Sequence, residues 1–362
     1  MRKLSRTSVT VTAFGSVLAL AGTALTTTVG ADAAAPPSSQ RTIANANGPV
    51  FQIARRKGTT YYTDGVGINK ITRSGASALV LKVGDAAGVE FSANGKTMAI
   101  AHGSPGGLPQ RVSLVRKGRR TINVNTLAYE KNVNPDKNVT YGITTGASPA
   151  CKAELETPAP GTPPGQTPPA TYKGLVDSHP YQLAPLRGGA FALADAGGND
   201  ILRIGPRGRV SRIALLPAQP ITLTTAQANA AGAPDCAGET YAFEPVPTDV
   251  ERGPHGSLLV TTLPGGPESP ALGARGSVYR ISKRGVVTRL ATGFLGATNV
   301  ATYKGRIYVT EFFTGKITKF GKGGRFTKAT VPGAVSIEAT KKKLYIGTAS
   351  FSGPSRVVRI PR

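Results

Sequence analysis

The stretch "FALADAGGNDILRI", residues 191–204, reads as two short apolar runs separated by a polar, glycine-containing break. Ala, Leu and Ile in the runs suit half-buried strands, and Gly-Gly-Asn suits a tight turn. Taken alone, Asp195, Asn199 and Asp200 could hold a metal or a phosphate. Five counterparts elsewhere argue otherwise: "TDGVGIN" (63–69), "AHGSPGGLPQ" (101–110), "TTLPGGPESPALGARG" (261–276), "TEFFTG" (310–315) and "TASFSGPS" (348–355). A break that recurs six times with changing polar residues marks a repeat. Asp195 and Asn199 are then expected to brace the turn by bonding to backbone, as Asx residues do.

Each break comes after a small-apolar run ("TTYYTD", "KTMAIAH", "AFALAD", "SLLVTT", "RIYVTE", "KLYIGT") and before an alternating one such as "SVYRIS" or "KITKF". A third run comes next, and a shorter run precedes each set: "VFQIA", "AGVEF", "PYQLA", "PTDVE", "ATNVA" and "AVSIE". Four strands repeated six times predict an all-β, six-bladed β-propeller. The last repeat stops at its third strand, "RVVRI", while "RTIANANG" (41–48) resembles the fourth strands of other repeats. The segment Thr42–Ala46 is therefore expected to complete the last blade and close the ring, removing an open edge.

The domain reading is a leader over residues 1–35 and one propeller over 36–362, with insertions at about 128–178 and 217–247. The leader combines a basic start, "MRKLSR", an apolar run from about Val9 to Ala24, and Ala-x-Ala spacing near Ala31–Ala35. That is the form of a Sec-type signal peptide, which predicts a secreted protein without a transmembrane segment. The first insertion contains "TPAPGTPPGQTPPATY", expected to be an extended linker, and the second contains "TTAQANAAG", expected to form one or two helical turns. Each insertion carries one of the two cysteines, and in an exported chain Cys151 and Cys236 are expected to pair.

The chain has 44 Lys and Arg against 19 Asp and Glu, a formal net charge of +25. Residues 1–35 hold three of the bases and one acid, so the remainder keeps a net +23. Such a field favours polyanions: an anionic cell-wall polymer or an acidic glycan. Arg116-Lys117-Gly118-Arg119-Arg120, Lys283-Arg284, Lys322 with Arg325, and Lys341-Lys342-Lys343 all fall in turns, on the rim or faces of a propeller. No motif for sequence-specific nucleic-acid reading accompanies them. A monomer is expected.

Over residues 179–313 the resemblance to a known family is closer. His179-Pro180-Tyr181, "ADAGGND", "TYAFEPVPTDVE", "TTLPGGPE", "ARGSVYRI", "GATNVA" and "YVTEFF" occur in order. The series resembles the ScyD/ScyE family of exported propeller proteins with NHL-like repeats. The resemblance implies a secreted six-bladed propeller and brings no established reaction with it.

Channel-facing positions are read as Gln52, Gly88, Gln182, Asp249, Asn299 and Ser336, each just before the first apolar residue of an innermost strand. Asp249 and Asn299 are the two convincing oxygen ligands for a divalent cation such as calcium. Glu90 and Glu338 are read as one position out of phase. Glu244, Tyr241, Tyr181 and His179 are candidates for a ligand site at the channel mouth. No Ser-His-Asp or Cys-His order points to a nucleophile. The sequence favours a non-enzymatic binding or scaffold propeller at the cell surface; the alternative is a metal-dependent hydrolase or lactonase using the channel.

Overall fold

A computed structural model describes residues 40–362 apart from 73, 104–109, 145, 159–166, 267–269, 322 and 351–352. The leader, and the central part of the proline-containing tract, lie outside the described residues.

Among the described residues there are seven four-stranded antiparallel sheets. Six are the repeats. Their innermost strands are Ile53–Arg56, Ala86–Phe91, Pro180–Pro185, Pro247–Arg252, Ala297–Tyr303 and Ala334–Ala339, and we number the blades 1 to 6 in that order. The innermost strands pack in sequence, and that of blade 6 packs against that of blade 1. Apolar cores show the same cycle. Ala54, Ile68, Val89 and Ile100 fill the gap between blades 1 and 2, and Leu114, Leu183 and Phe191 that between 2 and 3. Ile201, Val250 and Val260 join 3 to 4, Val278, Phe294 and Val309 join 4 to 5, Tyr308, Ile317 and Ile346 join 5 to 6, and Ile53, Tyr62 and Val357 join 6 to 1. Each fully buried side chain of this size contributes about 1.5–3 kcal/mol, so the ring is held by side-chain contact between sheets.

The ring closes as the sequence implies. Arg41–Ala46 pairs antiparallel with Ser355–Pro361 and becomes the outermost strand of blade 6.

The seventh sheet has no counterpart in the repeat pattern. It assembles Thr171–Lys173, Thr140–Ile143, Thr240–Phe243 and Gln219–Thr222, all from the two insertions, in that spatial order. Helices Pro149–Glu156 and Thr225–Ala230 flank it, and the Cys151–Cys236 disulfide joins its halves within a small core of Ile143, Leu223, Ala228 and Phe243. The insertions therefore form a module of their own. The module rests on the connections between the second and third strands of blades 3 and 4: Asn199 Nδ2 donates to Glu244, Gln227 Nε2 donates to the Leu272 carbonyl, and the Arg275 guanidinium stacks on Phe243 at 4.4 Å.

Candidate functional site

In blades 2 to 6 the innermost strand carries a β-bulge just before the channel-facing residue, at Ala86/Gly88, Pro180/Leu183, Pro247/Asp249, Ala297/Asn299 and Ala334/Ser336. A bulge shifts the alternation by one residue and re-aims the side chains beyond it. The six positions read from sequence form one polar layer. Gln52 Oε1 accepts from Val89 N–H at 2.9 Å, Asp249 Oδ2 from Val300 N–H at 2.8 Å, and Asn299 Oδ1 from Ile337 N–H at 2.8 Å, while Ser336 Oγ donates to the Val50 carbonyl at 2.5 Å. Each bond ties one blade to the next.

The same layer also crosses the channel. Gln52 Nε2 donates to the Leu183 carbonyl at 2.9 Å, Gln182 Nε2 to the Phe51 carbonyl at 2.6 Å, and Asn299 Nδ2 to Gln182 Oε1. Three amides from blades 1, 3 and 5 thus bridge the axis. Burial raises the Asp249 pKa well above its usual range, against the lowering effect of the Val300 N–H.

The next layer corrects the phase assigned to Glu90 and Glu338. Both lie two residues beyond the polar layer, on the same side of their strands, and Glu251 occupies the equivalent place in blade 4. Around the ring this layer reads Ala54, Glu90, Ala184, Glu251, Ala301, Glu338: alanine on odd blades and glutamate on even ones. The alanines are buried and the glutamates half-buried. The three carboxylates feel one another across the axis. Burial first, then Glu251 and Asp249, push Glu90 well up, after the Phe91 N–H has offset part of that. Burial, then Glu251 and Glu90, do the same to Glu338. Glu251 is lifted by burial to about 7, with its own strand's Arg252 N–H and guanidinium holding it down.

The candidate mouth residues divide between two places. Tyr181 packs on Phe51, with ring centroids 5.8 Å apart, beside the amide layer. Glu244 lies under the insertion module, where its carboxylate accepts from Tyr172 Oη at 3.0 Å and Asn199 Nδ2 at 3.3 Å. Burial lifts Glu244 to about 7. Tyr241 shares this site with Tyr172, and burial raises its phenol pKa. His179 Nδ1 stands 3.4 Å from Asp177; burial lowers its pKa, but Asp177 and Asp195 raise it more. Glu130, Asp136, Asp195 and Asp200, absent from the sequence-derived site, complete this acidic cluster, with Glu130 lifted by burial to about 9.

Asp195 behaves as the repeat predicts. Its carboxylate accepts from the His179 and Gly198 N–H groups and from Ser178 Oγ. Asn199 does more: at φ 55° it accepts from Val246 N–H and donates to Asp136 and Glu244, linking blade 3 to the module.

One constellation was not legible in residue order. His102 Nδ1 lies 2.7 Å from Asp85 and Nε2 lies 2.8 Å from Ser113 Oγ, the spacing of a nucleophile, base and orienting acid. Blade 5 makes the equivalent contact with Glu311 and Thr318, and Ser113 Oγ is also bonded to Asn123. The contact is thus a brace of the repeat in which blade 2 uses histidine. Among the described residues no group of three or more His, Cys, Asp or Glu is placed to hold a metal ion.

No family model matches the chain, and no curated protein matches it either. Solved structures do. The gluconolactonase XC5397 from Xanthomonas campestris is 12% identical, with 89% of each chain covered and a TM-score of 0.54. A putative gluconolactonase is 12% identical over 90% of this chain and 93% of its own, with a TM-score of 0.53. A glucose dehydrogenase is 9% identical over 89% and 99%, at 0.51. At these identities the likeness is one of fold, and the fold is that of a β-propeller.

Proposed function

We propose that this protein is an exported hydrolase that opens a lactone or an ester at the glutamate layer of its channel. The observation that carries the reading is the alternation of Glu90, Glu251 and Glu338 with alanines, directly beside a layer sealed by amides. Three carboxyl groups sharing one confined space cannot all ionise, so they separate into proton donors and an acceptor. Glu251, at about 7, is the acceptor near neutral pH. Glu90 and Glu338, held well above the usual carboxylate range, are the donors. In hydrolysis a water oxygen bonds to the carbonyl carbon, and Glu251 takes the proton released. The bond from that carbon to the alkoxy oxygen breaks, and a protonated glutamate protonates the leaving oxygen.

Similarity in fold to proteins named as gluconolactonases supports this reading over a scaffold. Export through residues 1–35 and membership of the ScyD/ScyE family belong to the same proposal. The test is a panel of lactones and aryl esters assayed with calcium and with a chelator. Turnover should rise as pH passes through about 7, and Glu251→Gln should lower kcat by about 100-fold or more while leaving the melting temperature in place. No turnover on any substrate in either condition, or an unaffected Glu251→Gln variant, removes the proposal.

A further inference from the structure

The strands of each blade meander, so connections between strands 1 and 2 and between strands 3 and 4 all emerge on one face of the disc. They comprise residues 57–58, 72–76, 92–97, 116–121, 186–190, 205–209, 253–257, 282–286, 304–305, 322–323 and 340–342. Their described residues include fourteen Lys and Arg and not one Asp or Glu. The opposite face, with the insertion module, carries acids, Asp85, Glu154, Glu156, Asp235 and Glu239 among them. The excess charge is therefore sorted by face.

On the cationic face a cleft of about 650 Å³ runs across blades 1 to 3. Arg56, Lys96, Arg116, Lys117 and Arg119 line it, with Asn94, Gly188, Gly189 and Pro206 and no acid. Two of these side chains are positioned by packing. Arg116 Nε donates to Thr97 Oγ1 and its Nη2 to the Pro206 carbonyl, while Arg56 stacks on Phe91 at 5.1 Å and its Nε is buried without a partner. Lys96, Lys117 and Arg119 are exposed. None of the five takes part in an ion pair among the described residues.

We infer that this cleft is the docking site for a linear phosphate-bearing polyanion, which lies across blades 1 to 3 and holds the protein with its cationic face toward the polymer. Two fixed guanidinium groups suit recognition of oxyanions, and the exposed bases beside them supply charge along a strand. A groove crossing three blades fits a chain better than a flat bilayer surface. The inference is independent of the chemistry proposed for the channel.

Long-chain polyphosphate is the probe, with binding measured against salt concentration. The variant Lys96→Glu/Lys117→Glu/Arg119→Glu should lose about 30-fold or more in affinity and show a shallower salt slope. A control with the same charge change on the other face, Lys137→Glu/Lys152→Glu/Lys173→Glu, should shift affinity by about threefold or less. Circular dichroism and melting temperature establish that both variants fold. Single-stranded DNA bound with the same dependence on the cleft supports phosphate recognition irrespective of its source. Equal losses in the two variants overturn the site, since net charge alone would then explain binding. Binding to anionic lipid vesicles without binding to polyphosphate also overturns it.

Discussion

A methyl group at position 88 would lie 2.4 Å from the Tyr181 carbonyl oxygen and 2.9 Å from Gln52 Oε1. Gly88 is the one channel-facing position without a side chain, and the space this leaves lets blade 3 and the Gln52 amide approach blade 2. Gly88→Ala should therefore destabilise the fold by about 1–3 kcal/mol, as overpacking does, read as a lower urea midpoint at unchanged slope. An unchanged midpoint would show that the amide layer yields readily. Residue by residue, the sequence was partly legible. The polar layer could be picked out because each member precedes a Val, Ile or Leu, but the glutamate layer was given the wrong phase. The bulges lie before Gly88 and Ser336, so plain alternation carries on from there to Glu90 and Glu338, and aligning the six repeats at Ala54, Glu90, Ala184, Glu251, Ala301 and Glu338 makes the layer visible.

Among the elements, the insertion module was the least legible. Its strands run three or four residues, and they pair partners distant in the chain, as in Tyr141 with Tyr172 and Ile143 with Tyr241. Nothing local announces such pairings, whereas the blades pair neighbours through short turns and repeat the signal six times. The module's small core makes it dependent on its covalent link. The disulfide spans 85 residues, and closing a loop of that length contributes about 4.5 kcal/mol in the chain-entropy model. Replacing Cys151 and Cys236 with serine should open the module to limited proteolysis and hydrogen exchange while amides in blades 5 and 6 keep their protection. Uniform loss across all blades would mean that the module is integral to the ring.

For the whole molecule, buried carboxyl groups set the response to pH. Glu130, Glu244 and Asp195 are raised to about 9, 7 and 6 from 4.5, 4.5 and 3.8, so between about pH 4 and 9 the folded protein holds more protons than the unfolded chain. Stability then falls as pH rises. His102 works against this on the acid side, because burial lowers its pKa from the ordinary 6.5, so the unfolded chain takes up this proton first as pH falls. The urea midpoint should be higher at pH 6 than at pH 8.5, and Glu130→Gln should flatten the fall between them; a midpoint that rises with pH would contradict the cluster as described. The six-bladed closure, by contrast, was readable from the resemblance of "RTIANANG" to the fourth strands. That closure fixes an order of events. Arg41 sits opposite Arg359, so the strand synthesised first among those described must wait for a partner far along the chain, beyond all the other blades. A growing chain can stack blades as they emerge, yet it cannot complete the circle before Ser355–Pro361 has been made. Ring closure is therefore a long-range step that has to follow the making of all six blades.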